Sequence, residues 1–450
     1  MRRDASELLC LSDGPFWELP SVGIPRWQRV AEEINDAAWQ QWQIETYCLC
    51  THFPHLPVES DLSFCAMECV RPENPPPSLL HWIPLVALAE TAFRDSTTLA
   101  KIHTILSAVR PSGTDESRMR FARRGSLHEI ANWVQKQIES LDLRLTGRFR
   151  QLTAGPGFCL IRFETSGSPV WFKAVGDTHT RELTISTTLE RAFPHFVPHI
   201  IAVWPHRRAW LMAHAKGTPP NSNSDFGVWM EVVSRLAELQ IASIAYNEAL
   251  LTVGSRDIRS QSLLGSLHEF LCVMRDLMTQ QRRTPPPILG PDEVLALAHP
   301  LKQALSILSE GFVPDALNHL DLNPANILVS DDPCVFLDWA EAAVGPPFLT
   351  FEYLMEHFRR SCPTSVHRSA ELSQHYANHW KPYAADSILW RYLTVSPLVA
   401  VFANAVGNDT WRNPARLAKP QTAGYFRALT RRMAREAHIL AQGSPLCPSQ

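Results

Sequence analysis

The sequence predicts an α+β protein of two main folding units, and three observations carry the prediction. The chain has 450 residues, more than one ordinary domain holds. Apolar strand-like runs such as Val170-Trp171-Phe172-Lys173-Ala174-Val175 lie ahead of a C-terminal part rich in helix-spaced apolar residues and tryptophan, as in Leu389-Trp390-Tyr392-Leu393 and Tyr425-Phe426-Leu429. Between them, residues 318–339 set three polar side chains on either side of a short apolar hairpin pattern.

In chain order, residues 1–112 mix strand-like and helical runs, and proline-rich joints are expected at 71–77, 111–117 and 282–292. Ile130, Trp133, Val134 and Ile138 recur at helical spacing and predict an amphipathic helix. Gly155-Pro156-Gly157-Phe158 lies between strand-like runs, where a Gly-x-Gly serves equally well as a hairpin turn. Lys173 sits inside an apolar strand. An ammonium buried alone costs several kcal/mol, roughly, so a partner acid is expected, and a snorkelling edge lysine is the alternative. Residues 180–192 read as a helix with Leu183, Ile185 and Leu189 on its apolar side, ended before Pro194. Glu182 and Glu190 on that helix are both candidate partners. Eight residues at about 100° each leave them roughly 80° apart, so both cannot face one lysine. The run 209–217 reads as a further strand and its exit, and Trp229, Val232, Val233, Leu236 and Leu239 as the core face of a helix starting near Asp225.

The most informative stretch is Asn318-His319-Leu320-Asp321-Leu322-Asn323-Pro324-Ala325-Asn326, followed by Ile327-Leu328-Val329, a Ser-Asp-Asp-Pro turn, Cys334-Val335-Phe336-Leu337 and Asp338-Trp339. Asp-x-Asn-Pro alone is common turn chemistry. Here, however, the polar groups stand at the outer ends of a predicted buried β-hairpin, which a solvated loop does not need. A carboxylate, an amide five residues later and a second carboxylate after an apolar run are what a phosphoryl-transfer site requires. Asp321 is placed to accept or orient the proton of an attacking hydroxyl. Asn326 and Asp338 offer the hard oxygen donors that Mg²⁺ takes alongside water and phosphate. His319 is expected to brace the loop.

At these residues the chain resembles the aminoglycoside phosphotransferase family of kinase-like enzymes, whose catalytic loop reads His-Gly-Asp-Leu-His-Pro-Gly-Asn and whose metal strand ends Asp-Trp. The resemblance runs from about residue 121 to the mid 350s and more loosely to 450. It implies a two-lobed protein-kinase-like fold, with a small mixed β-sheet lobe (119–217), a larger mainly helical lobe (218–450) carrying the acceptor cleft, and a small α/β domain (1–118) ahead of them. It further implies an ATP- and Mg²⁺-dependent transfer of the γ-phosphoryl group to a small-molecule hydroxyl. Lys173 would contact the nucleotide phosphates, paired by Glu182, with Gly155 and Gly157 in the loop above them and the backbone from Met212 to His214 holding adenine. Leu320, Asn323 and Ala325 depart from the family's glycine, histidine and second glycine. After Asp338 the family's further acids are replaced by Gly345-Pro346-Pro347 and Thr350, so acids that would brace the large lobe are missing. The rival expectation is therefore a kinase-like nucleotide-binding regulator without turnover.

Net charge is −3 with acids and bases mixed, so no basic stripe argues for nucleic acid and no polybasic tract for a membrane surface. No apolar run reaches the length of a membrane span, no secretory signal is evident, and a cytoplasmic setting is expected. The ten cysteines show no compact secreted framework and are expected to be reduced thiols. Cys48, Cys50, His52 and His55 have zinc-binding residue types, but period-two spacing favours a buried strand. Leu8-Leu9-Cys10-Leu11, 16–20 and 29–34 are faintly similar to a Nudix hydrolase, without its acidic signature. A degenerate domain used in packing or recognition is expected there.

Overall fold

Alternation along Val170–Val175 sends Val170, Phe172 and Ala174 to one side of a sheet and Lys173 to the other, and this parity organises the N-terminal half. In the computed structural model, which describes all residues except 3, 26–27, 52, 54–62, 72–78, 111–120, 156, 177–179, 408 and 444–450, the chain divides into two compact units. One comprises Met1–Leu183 with His199–His214, the other Thr184–Pro198 with Ala215–Gln450.

The first unit holds a five-stranded sheet in the order Leu145–Thr153, Phe158–Thr165, Val170–Val175, Ala209–Ala213, Ile200–Trp204. Every pairing in it is antiparallel. The predicted amphipathic helix is Ser126–Ile138. Its Ile130, Val134 and Ile138 share one core with Ile161, Phe163, Phe172 and Leu211, and Trp133 stacks on Trp204 at 5.0 Å.

The N-terminal hairpin, Thr46–Cys50 with Ala66–Cys69, puts Tyr47, Leu49 and Ala66 into that same core. Gln151 of the sheet's first strand locks it, donating to the Cys48 carbonyl and accepting from the Cys48 amide, each at 2.8 Å. Helix Val30–Trp42 adds a Glu32–Arg150 ion pair at 2.6 Å. A separate small core of Leu8, Cys10, Leu88, Phe93, Leu99, Ile102 and Leu106 joins strands Glu7–Asp13 and Leu80–Pro84 to helix Thr98–Ala108. Residues 1–118 and the strands beyond them thus fall in one compact unit, because the hairpin and the sheet bury each other's apolar faces. The other expected boundary, at 217, lies beside the division at 214/215. The proline-rich stretches 72–77 and 111–117 lie outside the described residues.

The second unit is built on long helices. Phe226–Ser243 starts where Asp225 accepts the Gly227 amide at 3.2 Å and buries Trp229, Val232, Val233, Leu236 and Leu239 as the spacing predicts. Ser260–Thr279, Ala298–Leu308, Phe348–Ser361, Asp386–Val406 and Pro420–Ala441 complete its large core. Asp386–Val406 corrects one expectation, since this 21-residue helix is long and apolar enough to cross a membrane. Its apolar window is 67% buried within the protein, because the helix packs centrally among the others. A three-stranded sheet, in the order Arg256–Asp257, Ala342–Gly345, Ala316–His319, leads into the polar loop, and the predicted hairpin forms with Ile327 opposite Phe336 and Leu328 opposite Val335.

Candidate active site

Strand Ala316–His319 delivers Asn318 and His319 fully buried at the mouth of the loop, so every polar atom there must be matched. The Asn318 amide nitrogen donates to the carbonyls of Ala316 (3.1 Å) and Gly345 (3.0 Å). Its oxygen accepts from the Thr350 hydroxyl at 2.8 Å, and that hydroxyl in turn accepts the His319 backbone N–H at 2.9 Å. Asn318 and Thr350 thus supply, without charge, the bracing whose acids the sequence lacks.

The His319 ring is fixed at both nitrogens. Nε2–H donates to the Leu337 carbonyl at 2.8 Å, and Nδ1 accepts the Asp321 N–H at 3.2 Å. That pattern requires the neutral imidazole, and burial holds the ring below its ordinary pKa although Asp321 and Asp338 both act to raise it. The ring also packs against Trp339 at 4.7 Å. His319 therefore ties the Asp321 loop to Leu337, in the segment between strand Val335–Phe336 and Asp338.

Asp321 is oriented by three donors. The Tyr353 hydroxyl reaches Oδ1 at 3.0 Å, Asn323 Nδ2 reaches Oδ1 at 3.1 Å, and Asn326 Nδ2 approaches Oδ2 at 3.4 Å. Asn326 Nδ2 also donates to the Asp321 carbonyl at 2.8 Å, which turns its amide oxygen away from Asp321, and no described donor reaches that oxygen. The Asn326 carbonyl accepts the Leu337 N–H at 2.8 Å, pinning the residue before Asp338 to the amide-bearing turn. Asp338 itself adopts φ +62° and ψ +66°, a left-handed conformation uncommon outside glycine, and so kinks the backbone between the hairpin and the turn Trp339–Glu341. Asp321, Asn326 and Asp338 are thereby gathered on one hydrogen-bonded frame. An unengaged amide oxygen and a carboxylate suit Mg²⁺, which needs few protein ligands. Among the described residues no cluster of three or more His, Cys, Asp or Glu could hold a metal, and His52 and His55 lie outside them. Cys48 and Cys50 are buried on a strand, as their spacing favours.

The departures from the family loop are accommodated individually. Leu320 is buried against Gly407, where an added Cβ would come within 2.8 Å of Leu320 Cδ1, so the leucine fills space that a glycine leaves. Asn323 caps the following turn by accepting the Ala325 N–H at 3.0 Å while it holds Asp321.

In the first unit, Lys173 is buried and forms an ion pair with Glu182 at the start of helix Arg181–Ala192, 4% exposed. Of the two acids on this helix it is Glu182 that meets the lysine, whose ammonium also lies 5.8 Å from the Trp210 ring centre. Gly155 (φ +138°) and Gly157 form the bend between Leu145–Thr153 and Phe158–Thr165, with the Gly157 carbonyl accepting the Gly176 amide, and Pro156 lies outside the described residues. Met212 pairs with Trp171 in the sheet. His214 is exposed and accepts from the Trp171 indole at 3.1 Å, so its side chain is a surface group as expected. Sequence reasoning gave no role to Asn318, Tyr353, Asn404 or Tyr425, of which the last three lie outside the loop and hairpin motif.

No protein-family model matches the chain, and no curated protein matches it. Among solved structures, a choline kinase from Cryptosporidium parvum matches with a TM-score of 0.50 at 12% identity, over 70% of this chain and 97% of that one. The chain has the two-lobed kinase-like fold. An ethanolamine kinase from Plasmodium vivax (TM-score 0.48, 12% identity, 75% of this chain and 97% of that one) and a macrolide 2'-phosphotransferase from Brachybacterium faecium (0.45, 18%, 66% and 98%) are similar as well.

Proposed function

We propose that this protein is an ATP- and Mg²⁺-dependent phosphotransferase acting on a hydroxyl of a small molecule. The observation that carries the reading is the frame that ties Asp321, Asn326 and the Asp338 strand together through His319. Asp321, held by Asn323 and Asn326, accepts the proton of the attacking hydroxyl. Asn326 and Asp338 supply the oxygens that would hold Mg²⁺, which neutralises charge on the phosphates when bound. Lys173, ion-paired with Glu182, pairs with nucleotide phosphate. The Gly155/Gly157 bend covers those phosphates and the backbone at Met212 to His214 takes adenine. We assign residues 1–118 a packing role on the sheet of the first unit rather than a hydrolase activity.

The rival reading, a nucleotide-binding regulator without turnover, rested on missing acids, and the Asn318–Thr350 hydrogen bonds supply what those acids would. The test is calorimetric titration of Mg-ATP together with ADP release against a panel of alcohols. Asp338→Ala should remove the Mg²⁺-dependent part of nucleotide binding, and Asp321→Asn should keep nucleotide binding but lose turnover. Unchanged Mg-ATP affinity in the first variant, or surviving turnover in the second, contradicts the assignment.

A further inference from the structure

The groups around Asp321 that the mechanism leaves unused are neutral and mostly ring-shaped. Tyr353, on helix Phe348–Ser361, places its hydroxyl 3.0 Å from Asp321 Oδ1, the position an acceptor hydroxyl must take to give up its proton. The His357 ring lies 4.9 Å from the Tyr353 ring, and burial, with Arg360 adding to it, holds its pKa below the ordinary value. Tyr425 arrives from helix Pro420–Ala441, 48% exposed, and donates to Asn404 at 2.8 Å; Asn404 donates to the Leu320 carbonyl at 2.9 Å. Burial raises the pKa of both Tyr353 and Tyr425, Asp321 adds to it in each, and Tyr425 adds to it at Tyr353.

The acids behind this rim are already matched. Glu352 pairs with Arg359 at 2.7 Å, and Glu356 pairs with Arg360 and, at 3.1 Å, with Arg432. Glu436 meets Arg435 at 3.3 Å and Arg432 at 3.9 Å. Each of these three glutamates meets a guanidinium, whereas Asp321 is held by the neutral donors Tyr353, Asn323 and Asn326. A ligand bearing several ammonium groups would have to displace arginines to reach these glutamates and would face them while doing so. Such like-charge contact is an effective means of exclusion.

We propose, resting on the phosphotransfer reading above, that the acceptor is an uncharged ring-bearing polyol, which displaces the Tyr353 hydroxyl from Asp321 and packs on Tyr425, and that the arginine pairing excludes polycationic amino sugars. In the transfer, Asp321 takes the proton of the polyol hydroxyl. The hydroxyl oxygen bonds to the γ-phosphorus of ATP, and the bond to the β–γ bridging oxygen breaks, with ADP leaving on that electron pair.

The test is ADP release by the full chain with Mg-ATP and methyl glucoside, myo-inositol, uridine, kanamycin, choline or glucose 6-phosphate. An uncharged compound should exceed every charged one in kcat/KM by at least roughly tenfold. Tyr353→Phe should lower KM for that compound, because the competing hydroxyl is gone, whereas a merely structural tyrosine would raise it. Arg360→Gln combined with Arg432→Gln should let kanamycin bind, read by calorimetry. Preference for kanamycin, choline or the sugar phosphate, turnover of no uncharged compound while Mg-ATP still binds, or a KM unmoved by Tyr353→Phe overturns the proposal. Loss of Mg-ATP binding itself would instead sink the phosphotransfer reading beneath it.

Discussion

Two buried titratable groups serve the proposed chemistry, and they are secured by opposite means. Lys173 in the first unit is secured by an ion pair with Glu182. His319 in the second unit gives up its charge and is held by neutral hydrogen bonds to Leu337, to the Asp321 amide and, through its own backbone, to Thr350. The difference follows from task. A group that must attract phosphate has to stay cationic, so desolvation must be offset by an anion. A group that only positions a loop is better neutral, because a neutral ring costs less to bury and can both donate and accept. One arrangement should therefore fail abruptly when its partner is lost, and the other in steps.

The strongest test of that contrast is Glu182→Ala. Breaking a buried pair from one side costs about 3–5 kcal/mol, since the remaining charge loses its counter-ion. Chemical denaturation should show a loss of that order together with weakened Mg-ATP binding. Glu182→Gln should show a smaller stability loss with a similar loss of nucleotide affinity. A change under about 1 kcal/mol in Glu182→Ala would mean that the ion pair is not what keeps Lys173 buried.

A smaller effect is expected where the second unit relies on backbone contact. Gly217 has φ +118°, and a Cβ there would lie 2.5 Å from the Val329 carbonyl oxygen, while Thr218 and Val329 exchange both backbone hydrogen bonds, at 3.0 and 3.1 Å. Gly217→Ala combines strain with a clash and should cost about 1–3 kcal/mol by thermal unfolding. Smaller again, Thr350→Val leaves the His319 amide without its acceptor and takes the hydroxyl donor from Asn318, which keeps the Thr350 backbone N–H at 3.2 Å. It should cost about 1 kcal/mol, since Asn318 keeps the Thr350 N–H, and lower kcat more than nucleotide affinity. Thr350→Ser should restore most of both. If valine proves as good as serine, the hydroxyl is not the brace.

What could be read in the sequence was local. Asp321, Asn326 and Asp338 lie within one loop and hairpin, where the five-residue spacing and the alternation of Ile327 to Phe336 are printed consecutively in the chain. Lys173 stood out as a charge in an apolar strand, and the choice of Glu182 over Glu190 came from the family pattern, with helical geometry allowing only one. What escaped notice joins distant segments. Tyr353 reaches Asp321 across 32 residues, Asn404 reaches Leu320 across 84, and Gln151 locks the N-terminal hairpin across 103. None of these residues is unusual for its own helix or strand, so no periodicity marks it. Thr350 shows the subtler failure. Reading it as a missing acid was correct about charge but overlooked that one hydroxyl can accept from His319 and donate to Asn318 at once.

The finest test of the comparison is pH. The unfolded His319 titrates near 6.5 and burial lowers that value in the folded chain. Between the two values the unfolded chain binds the proton and the folded chain does not. The His319 contribution is thus intact above about pH 6.5 and is lost as pH falls from there toward the folded-state value. His214, His357 and His375 are lowered in the same direction, so the wild-type curve blends several residues. The informative quantity is the difference between wild type and His319→Asn in unfolding free energy from pH 8 to pH 5, roughly the range that brackets the ordinary histidine value. The variant should be less stable at pH 8, and the gap should narrow as pH falls, because only the wild type loses this contribution. A gap that stays constant or widens toward pH 5 would mean that His319 is protonated in the folded loop. The contrast between a charge matched by Glu182 and a ring held by neutral bonds would then be lost.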